Sequence, residues 1–399
     1  MKIKFIFSFF FLFLLTGCWN YRELNQLAIS TGIAVDKSED GKYEVSVLIS
    51  NAKKSQVSSK EGESQTIVYS DKGNTISEAI HNINLQLSKD IYIGHLTVIV
   101  INEDVAKDGL YPILDYFLRD PESVKRFFII ISHEAKASDV ISTLSPLEAF
   151  PSQNIYFNLK SATNSQAVSP SITYSKFIEN IVKPGAEATA PSILILGNAE
   201  EAQSSDSLQQ SVPEAVLKLG NVAIFDDDVL VGYANEKESR GINVINHNVT
   251  STTATFEYKS HYITVNLTNI SVSNEVNMVD NTPVITVNYK ADAAIRELSS
   301  SLNVDEVDTI QDIESAIEDN VKSILNQAID CAQKKYKSDI FGFGNLIYKK
   351  FPHYFLNIHQ DWSHDVFPNL KINHEVKVNL QTKGSLEQSI GGLQDEVTN

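Results

Sequence analysis

Apolar positions along this chain fall into two regimes, continuous runs in the first half and strict alternation in the second. Ala28 to Asp36 is largely apolar and reads as a strand. Tyr43 to Ser50 alternates, with Tyr43, Val45, Val47 and Ile49 on one face, and Asp40-Gly41 between the two suits a tight turn. Residues 52–63 are polar and rich in Ser, Lys and Glu, which reads as a loop, and Gln65 to Ser70 reads as a third strand. Thr75-Ile76-Ser77-Glu78 has capping-box spacing and predicts a helix to about Ser88, with Ile76, Ile80, Ile83 and Leu87 as its buried stripe. Leu96 to Ile101 has the unbroken apolar character of a central strand. A helix over Tyr111 to Leu118, a strand over Phe127 to Ser132 and a helix over Ala137 to Leu144 continue the alternation of element types. Residues 146–192 are punctuated by five prolines and read as less regular, with one helix near Ile172 to Val182.

The second regime starts near Val216. Val222 to Phe225 and Val229 to Tyr233 predict a hairpin around Asp226-Asp227-Asp228. Tyr262 to Ile270, Val284 to Lys290 and His374 to Thr382 alternate as half-buried strands. Val307 to Lys337 carries a helical stripe through Ile310, Ile313, Ile317, Val321, Ile324, Ala328 and Cys331 or Ala332, roughly 40 Å of helix. Lysines 334, 335 and 337 close it, as the helix dipole favours. The expected fold is mixed α/β or α+β and multidomain. An N-terminal mixed sheet with helices covers 18–197, possibly as two subdomains, and a linker covers 198–215. A C-terminal antiparallel sheet packed against one long helix covers 216–384, and a disordered tail covers 385–399. No internal repeat is visible.

The first residues change the picture most. Lys2 and Lys4 precede an apolar run from Phe5 to Leu15, broken only by Ser8, and then Leu15-Thr16-Gly17-Cys18. The run is too short to span a bilayer, which needs roughly 20 apolar residues. Small residues before a cysteine at its end are the pattern of a bacterial lipoprotein signal, so residues 1–17 are expected to be cleaved. Cys18 would become the N-terminus and carry a diacylglyceryl group on its thiol, two acyl chains sufficing for stable anchoring. The expected product is exported and tethered to a membrane surface.

The chain carries 33 basic and 50 acidic residues, a net charge of −17, and loses Lys2 and Lys4 with the leader. That balance argues against nucleic acid, which needs a basic footprint, and against electrostatic adhesion to anionic lipid. The only cysteines are Cys18 and Cys331, so an acylated Cys18 leaves no disulfide within the chain, and stability must come from core burial. Cys331 falls in the long helical stretch and reads as a small core residue.

Catalytic and metal motifs are weak. His359-Gln-Asp361-Trp-Ser-His364-Asp365 gathers metal-ligand types, but its five-residue histidine spacing is not that of a helical zinc pair, and it reads as a polar loop around Trp362. There is no Gly-x-Ser-x-Gly elbow and no phosphate loop. Phe341-Gly342-Phe343-Gly344 follows a helix rather than a strand and reads as a helix stop and turn. Asp226-Asp227-Asp228 reads as a solvated hairpin tip with at most weak calcium affinity. No catalytic residue, metal or cofactor is expected, apart from the lipid on Cys18.

Cys18-Trp19-Asn20-Tyr21-Arg22-Glu23-Leu24 resembles the start of the Ger(x)C family of spore germination lipoproteins, with Asn20 where the family usually has Asp. The resemblance continues, in order, through several pieces. Thr31 to Asp36, His95 to Val100, Gly109-Leu110 and Arg119-Asp120-Pro121-Glu122 come first. Gly220 to Phe225, Val231-Gly232, Glu238 to Gly241 and Asp339-Ile340-Phe341-Gly342 with Trp362 follow. It implies a C subunit of a nutrient germinant receptor, built from α/β domains without an enzyme-like site. Such a subunit would be partnered by an A subunit and a permease-like B subunit, at the outer face of the spore inner membrane. Trp19, Tyr21, Arg22 and Glu23, close to the anchor, are the candidate interface residues, Trp, Tyr and Arg being types enriched at hot spots. The alternatives are a solute-binding lipoprotein of a transporter, against which the unlike halves argue, and an exported envelope enzyme.

Overall fold

The computed structural model describes residues 23–50, 65–165, 167–298 and 307–382. The expected leader, the 52–63 loop and the tail lie outside these residues, as do Cys18, Trp19, Tyr21 and Arg22.

The first sheet grows outward from parallel strands. β1 (Leu27–Lys37), β2 (Tyr43–Ser50) and β3 (Thr66–Gly73) form an antiparallel meander. After α1 (Ile76–Asn84) and the short β4 (Asp90–Tyr92) come β5 (Val98–Asn102), α2 (Glu103–Asp108), α3 (Tyr111–Arg119) and β6 (Phe128–Ser132). Then follow α4 (Ala137–Ser142), α5 (Pro151–Ser165), α6 (Tyr174–Val182) and β7 (Thr189–Gly197). β1, β5, β6 and β7 lie parallel side by side, and β8 (Ala215–Asp226) and β9 (Val229–Tyr233) add antiparallel at one edge. The order is β3-β2-β1-β5-β6-β7-β8-β9, with β4 paired to the start of β1.

Helices cover both faces, which explains the continuous apolar runs. Ile99, Ile101, Ile129 and Ile131 point into a core with α1, α2, α3 and α6. Val98, Val100, Phe128 and Ile130 point the other way, to α4 and α5. α1 starts where expected: Thr75 Oγ1 accepts the Glu78 N–H at 3.1 Å, although the Glu78 carboxylate reaches back to the Asn74 N–H at 2.7 Å rather than to Thr75. Asp36, at the end of β1, accepts the N–H groups of Ala137 at 2.7 Å and Ser138 at 2.9 Å and so fixes the start of α4. α5 lies in the stretch expected to be irregular. Pro151 opens it and suits a first helical position, while its buried side chains are sparse, among them Ile155 and Leu159, so its stripe is faint.

The second unit contains α7 (Glu236–Ile245), β10 (Thr252–Tyr258), β11 (His261–Val279), β12 (Thr282–Leu298) and α8 (Val307–Asp330). A π turn over Cys331–Tyr336, α9 (Phe343–Lys350), α10 (Pro352–Ile358) and β13 (Lys371–Thr382) complete it. The sheet order is β10-β11-β12-β13. Its last strand departs from the expected antiparallel pattern: β13 runs parallel to β12, because the helices from 307 to 369 supply the long crossover that parallel pairing requires. α8 lays Ile313, Ile317, Val321, Leu325 and Ala328 into the core of this sheet. It also covers the free edge of β13, where Glu318 and Glu314 accept the N–H groups of Val378 at 3.2 Å and Leu380 at 2.8 Å.

The two units share β8. Ala223 and Phe225 belong to the core of the first sheet, and Val222 and Ile224 to that of the second unit. The hairpin expected at 222–233 is present, and it is bonded into the first sheet through β7. The segment read as a linker carries two short 3-10 turns, Glu201–Gln203 and Ser205–Gln209. It is tied down at Ala202, which is buried and whose carbonyl accepts the Leu144 N–H at 3.1 Å.

α7 begins with a full capping box between Asn235 and Glu238 and crosses α8 at Gly241, where a Cβ would stand 2.4 Å from the Ile324 carbonyl oxygen. Gly241→Ala is expected to push the helices apart and destabilise the chain by about 1–3 kcal/mol, read from urea unfolding.

Candidate functional site at the joint between the two units

The most heavily bonded polar group where the units meet is Asp339. The π turn ends at Lys337, in the left-handed region at φ 52°, and the chain turns inward so that Ser338 and Asp339 are fully buried. Ser338 Oγ donates to the Phe225 carbonyl of β8 at 2.7 Å. The Asp339 carboxylate accepts the N–H groups of Phe343 at 3.1 Å and Gly344 at 2.8 Å, and Trp362 Nε1–H at 3.1 Å. It thereby caps α9 and holds Trp362, which is 2% exposed. Its main-chain oxygen accepts the Glu187 N–H at 2.9 Å, and the Asn345 N–H donates to the Gly185 carbonyl at 3.2 Å. Gly185, at φ 64°, and Gly344 meet so closely that a Cβ on Gly185 would lie 2.7 Å from the Gly344 Cα, so the joint requires small residues on both sides.

Glu187 extends the joint to the β8–β9 turn, accepting the Asp227 N–H at 2.7 Å. Asp228 is buried: its carboxylate accepts the Tyr111 N–H at 2.7 Å, its carbonyl accepts the Leu110 N–H at 3.1 Å, and Tyr111 Oη donates to Asp227. Of the acidic triplet, Asp227 is exposed as expected of a solvated tip, whereas Asp228 turns inward and fixes the start of α3. Burial pushes the Asp339 carboxyl up to about 6, against its N–H partners, which pull it down. Burial first, then the neighbouring Asp226, Asp227 and Asp339, push Glu187 up to about 7, against the Asp227 N–H.

Beside this joint lies a cleft of about 290 Å³ with walls from both units. Lys176 and Asn180 of α6, Lys183 just beyond it and Glu187 line one side. Asn246, His247 and Asn248 after α7, Asn274 of β11 and Lys349 of α9 line the other.

Of the residues singled out in the sequence near the anchor, only Glu23 is described. It is exposed, its carboxylate accepts from Asn25 Nδ2 at 3.0 Å, and it precedes the exposed Leu24. Around Trp362, His359 Nδ1 contacts the Leu356 carbonyl at 2.8 Å, and His364 and Asp365 are exposed. Among the described residues no three His, Cys, Asp or Glu side chains are gathered to hold a metal ion. Cys331 is buried, and burial pushes its thiol up to about 12. The Phe341–Gly344 stretch is not the helix stop its sequence suggested: the preceding helix already ends at Lys337, Phe341 and Gly342 (φ 69°) form a turn, and Phe343 and Gly344 open α9. Sequence reasoning passed over Glu187, Ser338 and the lysines of the cleft, which lie far apart in the chain and belong to no motif.

Two predictions follow from the joint itself. Asp339→Ala strands three buried N–H donors and is expected to destabilise the chain by about 3 kcal/mol or more in urea unfolding. Glu187 holds its proton more tightly folded than unfolded, so the stability linked to it is complete below the ordinary carboxylate range and is lost as pH rises through about 7. The wild-type melting temperature should therefore fall more than that of Glu187→Gln between about pH 5 and about pH 8.

Comparison with known proteins places the chain. A family model described as "Spore germination protein N-terminal domain" matches residues 20–195, and one described as "Spore germination B3/ GerAC like, C-terminal" matches residues 220–384. "Spore germination protein KC" of Bacillus subtilis (strain 168) is 25% identical over 380 residues, covering 93% of each chain. "Spore germination protein B3" of the same organism is 21% identical over 395 residues, covering 96% of this chain and 98% of that protein. The solved structure described as "Crystal Structure of the GerBC protein" superposes with a TM-score of 0.53 at 14% identity, over 90% of this chain and 99% of that one, and shares the fold.

Proposed function

This chain belongs to the Ger(x)C family of spore germination proteins and has a role in spore germination, and we propose that it acts there as a lipid-anchored, non-enzymatic C subunit of a nutrient germinant receptor. The observation that carries the reading is the pair of family models matched in order over nearly the whole chain. In this proposal the diacylglyceryl group on Cys18 holds the protein at the outer face of the spore inner membrane. An A subunit and a permease-like B subunit are its partners. Tethering raises the local concentration of the folded units near membrane proteins, so modest contacts suffice for assembly.

Two features support a role through surfaces. No helix among the described residues is long and apolar enough to cross a membrane, so the reading assigns attachment to the lipid. The buried carboxyls at the joint are each committed to main-chain N–H groups, which is a structural use of charge. Glu23 and Leu24 lead into β1, and Leu24 is 71% exposed, an apolar residue available for docking close in sequence to Cys18.

The test is capture from spore membranes. A C-terminally tagged chain, solubilised in mild detergent, is expected to bring down a permease-like protein and a second large membrane subunit. Recovery of the chain alone, under conditions that keep a known receptor intact, sinks the proposal. Cys18→Ala should be exported yet lose both membrane retention and the captured partners; full retention by that variant contradicts the anchor.

A further inference from the structure

The joint gathers carboxyl groups without gathering cations to neutralise them. Glu187 enters it from the first unit, just before β7, and Asp339 from the second, after the π turn. Asp226 and Asp227 of the β8–β9 turn stand beside Glu187, and Tyr111 Oη, at the start of α3, donates to Asp227. Of the lysines that share the cleft with Glu187, Lys176 and Lys183 pair with Glu179, and Lys349 lies on the opposite wall. His247, also on that wall, is held toward its neutral form by burial. The two carboxyls are met by N–H groups instead, from Asp227 for Glu187 and from Phe343, Gly344 and Trp362 for Asp339.

Three ties cross the same place. The Glu187 N–H donates to the Asp339 carbonyl at 2.9 Å, the Asn345 N–H donates to the Gly185 carbonyl at 3.2 Å, and Gly185 packs on Gly344 with no room for a Cβ. All three hold residues 185–187 against residues 339–345, while β8 couples the units independently through both cores. The ties can therefore part without the chain unfolding. Two negative charges, one on each side of them, oppose them. Glu187 also lines the cleft, so water reaches it and protons exchange there.

We propose that Glu187 and Asp339 form a proton-operated latch. With a proton on the pair, the ties between residues 185–187 and 339–345 are closed; with both carboxyls ionised they open and widen the cleft, the units remaining joined through β8. Burial raises the proton affinity of both groups, and Asp226 and Asp227 raise that of Glu187 further. The change therefore falls near neutral pH, where an ordinary carboxyl is ionised throughout. Because the pair binds protons more tightly when the latch is closed, closure is complete at lower pH and is lost as pH rises. The latch belongs to the chain itself and holds whatever its partners are.

Trp362, bonded to Asp339 and one of only two tryptophans in the chain, reports on the latch. In a Trp19→Phe background, acrylamide quenching of Trp362 is followed in the full chain in detergent from about pH 5 to about pH 8. Quenching is expected to rise severalfold across neutral pH when Glu187 is present, and to stay low in Glu187→Gln, which carries no charge there. Asp227→Asn, at an exposed position, should keep the transition but move its midpoint to lower pH, because a charge that holds the proton on Glu187 is gone. Hydrogen exchange compared at matched pH separates a latch from general unfolding. Above neutral pH, residues 185–187 and 339–345 should exchange faster with Glu187 than with Gln, and the strands of both sheets should not. The proposal is overturned if quenching is flat over this range, if Glu187→Gln follows the same curve, or if the exchange difference spreads over the whole chain. Should Glu187→Gln not fold, an unmoved midpoint in Asp227→Asn overturns it alone.

Discussion

The structure depends on one strand serving two cores. In β8 the four consecutive apolar residues Val222 to Phe225 alternate between faces. Ala223 and Phe225 close the core of the parallel sheet, and Val222 and Ile224 close that of the second unit. Neither core is complete without this strand, so the units are coupled by burial rather than joined by a flexible tether. The family models divide the chain on either side of residues 196–219, within which β7 ends and β8 begins, so the division by sequence runs through a continuous sheet.

Around that apolar seam the chain places its acids with care. Asp339, Glu187, Asp228 and Asp36 each receive main-chain N–H groups, so each fixes where a helix or turn starts. A buried carboxylate is expensive unless its lone pairs are filled, and these are filled by donors that helix starts and turns leave free. The remaining cost shows in the raised affinity of Asp339 and Glu187 for protons. The joint is therefore specific and costly, and a small change in ionisation there is felt by both units.

That placement bears on how a member of this family would work. The tether is expected at the start of the first unit, whereas the joint and its cleft lie where the second unit meets it. A change of ionisation at the joint would alter the relation between the two units. Reciprocity then requires that a partner which fixes that relation also shift the ionisation of Asp339 and Glu187.

The sequence by itself determined the elements whose cause is local. The runs at Ala28–Asp36 and Leu96–Ile101, the cap at Thr75, the stripe of α8 and the alternation in β11, β12 and β13 all fix their own conformation. It also carried the family resemblance, piece by piece. Asp36, Gly241 and Asp339 were visible in those pieces, but their work was not, because each acts on backbone far away in the chain. α5 was hidden by its polar surface, and β7 by Pro191, which the strand absorbs at an irregular register. Tertiary structure alone decided that β8 and β9 join the first sheet, that β13 runs parallel, and that lysines from 176 to 349 face one cleft. A four-residue apolar run reads the same whether its two faces enter one core or two; only the neighbours that bury each face make the choice.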